Sequence, residues 1–93
     1  MTRKFEPAIV LSTVNAPYRT PLNGEALAHC LKDPSLARSR PGHLSSFFGE
    51  VDASLQFEFA ECYGIAASEL IAAAREFANY SGESYPLAAL AAD

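Results

Sequence analysis

Apolar residues recur at helical spacing through the second half of the chain and lose that rhythm in the first. Between residues 53 and 63, Leu55, Phe59, Cys62 and Tyr63 fall at i, i+4, i+7 and i+8, the stripe of a helix with one buried face. From Ala67 to Tyr80 the pattern repeats with Leu70, Ile71, Ala74, Phe77 and Ala78. Asp52 stands as an N-cap before the first of these helices, Gly64 ends it, and Gly82 ends the second. Pro86 opens a last turn, Leu87 to Ala92, in which Leu87 and Leu90 offer apolar contacts.

The junction of the two long helices carries the most structured signal. Residues 56–75, QFEFAECYGIAASELIAAAR, match the spacing of a helix-turn-helix unit. Ala60 is small enough to let two helices approach, Gly64 takes the left-handed turn, and Phe59, Tyr63, Ile65 and Leu70 close the corner. The second helix presents Ala66, Ala67, Ser68, Glu69, Ala72 and Ala73 where a DNA reader carries Arg, Asn or Gln. Phosphate anchoring needs cations there as well, and Arg75 stands between Glu69 and Glu76. The unit predicts a fold and argues against direct nucleic-acid binding.

Proline punctuates the first half. Pro7, Pro17, Pro21, Pro34 and Pro41 break it into short pieces, because proline removes a backbone donor and ends helices. Ala8–Val14 is β-branched and bounded by Pro7 and the Asn15-Ala16-Pro17 turn signal, so it reads as a short strand or an extended arm. A lone strand needs a partner, so it either pairs with a second copy in a homodimer or lies across the helices. Beyond it, Asn23 caps a helix from Gly24 to Leu31 with Leu27, Cys30 and Leu31 inward. Asp33-Pro34 starts a short turn, and Pro41 to Phe48 forms another helix stopped by Gly49, with Phe47 and Phe48 in the core.

Ninety-three residues, 49% of them hydrophobic and 19% charged, describe one globular domain rather than a disordered chain. No apolar run nears the length of a membrane span, and the apolar stretch near the start lacks a convincing cleavage site, so a cytoplasmic protein is expected. Charge is unevenly divided. Residues 1–43 hold six Lys and Arg against three Asp and Glu, whereas residues 44–93 hold one against eight. An acidic half repels phosphate backbones and attracts basic partners. Cys30 and Cys62 read as two buried thiols rather than a bridge, and with His29 and His43 they lack the spacing of a zinc site. No cofactor is expected.

Two surfaces remain as candidates. Phe57, Glu58 and Glu61 lie off the first core stripe, and Glu69, Ala73 and Glu76 off the second, giving an acidic outer surface with one aromatic in it. This set is the candidate partner-binding site, with Phe57 alternatively packed beneath the N-terminal arm. Arg38, Arg40 and His43 form a compact cationic cluster, a candidate anion site next to the Pro41-Gly42 turn. His43 with Ser45 and Ser46 lacks a positioned carboxylate and a nucleophile elbow, so no catalytic residue is assigned and no enzyme is expected.

The expected fold is therefore mainly α: a small helical bundle over residues 23–93 with a helix-turn-helix-like corner, preceded by a proline-rich extended arm over residues 1–22. The expected function is an acidic protein-interaction module, an adaptor, accessory subunit or inhibitor that occupies a partner's basic surface. A DNA-binding regulator built on the corner is the first alternative, and an anion or small-ligand binder using residues 38–43 is the second.

Overall fold

The computed structural model describes residues 5–91, and among them every regular element is a helix, with no strand. The helices are α1 (Pro7–Asn15), α2 (Gly24–Lys32), α3 (Pro34–Ala37), α4 (Pro41–Glu50), α5 (Ala53–Cys62), α6 (Ala67–Ser81) and α7 (Pro86–Ala91). The small mainly-α bundle read from the sequence is the observed architecture. Arg3, Lys4 and Asp93, which entered the charge division, and Ala92, the expected end of the last turn, lie outside the described residues.

The expected strand and extended arm are corrected by α1. Pro7 occupies its first turn, and Val10 and Val14, one helical turn apart, are fully buried. Four β-branched residues in a nine-residue helix cost about 2 kcal/mol relative to alanine. Burying two valines contributes roughly 1.5–3 kcal/mol each, so packing overrides the local preference. A strand would have turned these two residues to one face as well, but without a neighbouring strand to satisfy its backbone. The segment before α2 contributes Val10, Val14 and Leu22 to the core, while residues 16–21 are exposed.

α4 is the central element. Phe47 and Phe48, adjacent in sequence, leave it in different directions. Phe47 meets Phe59 of α5 edge-on at 5.6 Å, while Phe48 meets Phe77 of α6 and Tyr85 at 5.9 Å each. One aromatic chain thus ties α5 through α4 to the α6–α7 pair, edge-on at Phe47–Phe59 and tilted at the two Phe48 contacts. α1 packs on α4, α5 and α2 on one side, and α6 packs on α7, α2, α5 and α3 on the other.

α4 runs past Gly49 to Glu50, two residues beyond the expected end. Its exit is held by Gln56, a fully buried side chain whose Nε2 donates to the Val51 carbonyl at 2.7 Å. Asp52 sits at the N-cap position of α5 but its side chain makes no capping bond. The stripe of α5 is also rotated from expectation: Gln56, Phe59 and Ala60 are buried, Leu55 and Tyr63 partly so, and Cys62 is exposed. Cys30 is buried, and both thiols are free. On α7, Leu87 is buried and Leu90 is exposed.

The α5–α6 corner forms as read. Gly64 has φ 72°, the Gly64 N–H donates to the Glu61 carbonyl at 3.2 Å, and the Ile65 N–H donates to the Ala60 carbonyl at 2.8 Å. This pair of bonds is a Schellman closure, accompanied by its usual apolar contact between buried Ala60 and Ile65. No helix among the described residues is long and apolar enough to cross a membrane.

Candidate functional site

The six residues expected to form one acidic surface fall into two places. On α5, Glu61 is exposed and Glu58 half-buried, and both line an open crevice of about 330 Å³ with Phe5 and Cys62. The N-terminal segment therefore lies along the same face of α5 that was read as free. Phe57 is partly buried and packs against the core, so most of its ring is committed to the fold. Its position follows from the rotated stripe of α5, which draws residue 57 toward the core edge and leaves Ser54, Glu61 and Cys62 outward.

On α6 the expected outer face turns toward α2 and α3. Ala73 is partly buried, and together with Glu76 and Tyr80 it lines a narrow crevice that also includes Cys30, Arg38, Leu44 and Phe77. The free space there is about 10 Å³, room for roughly a single water. At its mouth the Arg38 guanidinium lies 5.5 Å from the centre of the Tyr80 ring, a cation–π contact. Tyr80 is half-exposed, and Leu36 on α3 is exposed as well. Glu69 is occupied locally: its carboxylate accepts a hydrogen bond from the Ala66 N–H at 3.0 Å, which caps the start of α6. The alanine at the N-cap has no acceptor to return, so Glu69 supplies all the side-chain capping of this helix.

A second outward face of α6 adjoins the first at Glu76. Ser68, Ile71, Ala72, Arg75, Glu76 and Asn79 line an open groove of about 590 Å³ along the helix. This face is mixed in charge rather than acidic. The face expected to be outward is exposed at Glu69, Glu76 and Tyr80 and partly covered at Ala73, and the expected core stripe is buried at Leu70, Ala74 and Phe77.

The cationic cluster is also divided. Arg38 turns to Tyr80, Arg40 is exposed, and His43 is buried beneath the loop that precedes α2. The Tyr18 ring lies over the His43 imidazole with centroids 4.3 Å apart. Burial, with a smaller contribution from Arg40, lowers the His43 pKa from the usual 6.5, against the opposing pull of a hydrogen bond to the Thr20 backbone. Burial likewise raises the Cys30 thiol above 9.0, which keeps it protonated and unreactive. Tyr18 was not singled out from the sequence; its place in a Pro17–Pro21 loop gave no sign of a ring partner.

No protein-family model matches this chain, and neither a curated protein nor a solved structure shows detectable similarity to it.

Proposed function

We propose that the protein is a small interaction module, an adaptor, accessory subunit or inhibitor, that works by covering a basic surface of a partner protein. The observation that supports this reading is the α3–α6 rim: half-exposed Tyr80, braced by Arg38 and sharing a crevice with Glu76, with Leu36 exposed on α3. Tyrosine and arginine held in fixed positions lose little freedom on binding and dominate interface energetics. Exposed Glu61 and Glu76 add a field that speeds encounter with a cationic partner. Glu58, Glu61 and Glu76 are retained as partner-facing groups, while Phe57, Glu69 and Ala73 serve the fold first. The test is a pull-down from cell extract with wild type and Tyr80→Ala side by side, preceded by light scattering to establish whether the chain is a monomer or a homodimer. A protein held by wild type and released faster by Tyr80→Ala supports the reading; equal retention by both removes Tyr80 from the site.

A second reading rests on the corner. Arg75 and Asn79 share the exposed face of α6 with Ser68, and a helix-turn-helix unit presents such a face to the major groove. A gel shift with duplex DNA at about 0.15 M salt separates the two. Binding at micromolar or tighter affinity that Arg75→Glu abolishes favours a regulator, and no shift leaves the interaction module.

A further inference from the structure

The loop of residues 16–22 is folded back onto the start of α4 by contacts that converge on His43. Its ends are tied at Asn15, whose Oδ1 accepts from the Leu22 N–H at 2.9 Å while Nδ2 donates to the Leu22 carbonyl at 2.8 Å. Inside that clasp the Tyr18 ring covers the His43 imidazole. The Tyr18 hydroxyl comes so near α4 that a Cβ on Gly42 would crowd it, so glycine at 42 permits the approach. A hydrogen bond to the Thr20 backbone fixes the ring from the loop side. His43 is 9% exposed, and its buried Nε2 has no hydrogen-bond partner among the described residues.

Such a site accepts a neutral imidazole and rejects a charged one. Protonation would place two N–H donors on a ring that has one partner, in the first turn of α4 where the helix dipole is positive. Arg40 adds like charge from the N-cap of α4, and Arg19 carries another on the loop itself. Of the elements packed on α4, α1 and α7 bear no charged residue over their described length. α5 carries Glu58 and Glu61, and α6 carries Glu69, Arg75 and Glu76, yet Arg40 is the charge that acts on His43 most strongly. Glu50 stands at the far end of α4, and among the described residues no carboxylate acts on His43.

We propose that His43 is an acid-released latch: its neutral ring holds the 16–22 loop on α4, and its protonated form lets the loop go. Release breaks the Tyr18 stack first and then the Asn15–Leu22 clasp, and it uncovers Leu22 at the edge of the core. The rest of the bundle, tied by the Phe47–Phe48–Phe59–Phe77 contacts, stays folded.

The experiment is an NMR titration of the full chain from about pH 7.5 to 4.5, around the ordinary histidine range. It follows the His43 ring, the Tyr18 ring and the Leu22 amide, with the Phe59 and Leu70 amides as core reporters. The expected result is a His43 midpoint below about 6.5, shared by Tyr18 and Leu22 and absent from the core reporters. Arg40→Gln moves the shared midpoint upward, and His43→Phe, which keeps a ring under Tyr18, abolishes the loop transition. If His43→Phe does not fold, the Arg40→Gln shift alone decides. The proposal is overturned if Leu22 is unmoved while His43 titrates, if loop and core respond at one midpoint, or if Arg40→Gln leaves the midpoint in place.

Discussion

Replacing Phe57 by alanine distinguishes a residue held by the fold from one reserved for a partner. Phe57 sits on α5 two residues before the fully buried Phe59, partly covered and packed on the core. Truncating a fully buried phenylalanine costs about 3–5 kcal/mol, through lost transfer energy and the cavity left behind. With part of the ring already in water, roughly half of that applies, about 1.5–2.5 kcal/mol. In a domain of this length each kcal/mol shifts the melting temperature by about 4–8 °C, so a drop of about 6–20 °C is expected. Thermal melts followed by far-UV circular dichroism measure it directly. Glu61→Lys, on the exposed side of the same helix, serves as the comparison and should change stability by no more than about 0.5 kcal/mol. A Phe57→Ala variant that melts within about 2 °C of wild type would refute the reasoning and return Phe57 to the partner surface.

Gly64→Ala should lose about 1–2 kcal/mol in urea denaturation from the left-handed backbone alone, since a Cβ there meets nothing within 4 Å; an unchanged midpoint contradicts the Schellman corner. Glu69→Ala removes the bond to the Ala66 N–H and an acid at the start of α6, for a loss of about 0.5–1 kcal/mol, and Glu69→Gln, which keeps an acceptor, should lose less. Stability should be highest between the ordinary His and Cys ranges. Buried His43 resists protonation, so stability falls as pH drops below 6.5, where the unfolded chain takes up the proton first. Buried Cys30 resists ionisation, so stability falls again as pH rises past 9.0. Chemical denaturation at a series of pH values reads both edges, and a flat profile through either window contradicts the burial of that group.

The helices that were legible are those whose boundaries are set by local chemistry. Asn23 accepts from the Ala26 N–H, Asp33 from the Ser35 N–H, and Gly64 and Gly82 adopt positive φ, each as the residue type dictates. α1 was not legible because its β-branched residues favour a strand locally, and only the burial of Val10 and Val14 reverses that preference. The stripe of α6 is buried as its spacing dictates, at Leu70, Ala74 and Phe77, whereas the face of α5 was misjudged by part of a turn for a related reason. Gln56 reads as a surface residue, yet it is fully buried because its amide satisfies the carbonyl of buried Val51 at the exit of α4. Once Gln56 turns inward, Cys62 turns outward and Phe57 moves to the core edge. The Tyr18–His43 contact joins residues 25 positions apart and has no periodic trace. Charge asymmetry was visible in composition, but its distribution over two crevices depends on these rotations.

The interaction reading is tested most directly by comparing wild type with the Glu61→Lys/Glu76→Lys double variant in paired pull-downs from the same extract, at low salt and near 0.3 M. Both positions are exposed and neither holds a helix cap, so the variant should melt close to wild type. The account predicts one or more basic proteins retained by wild type at low salt, retained less at high salt, and lost on charge reversal. Identical retention by the two forms at both salt concentrations, or capture of nothing by either, would contradict it.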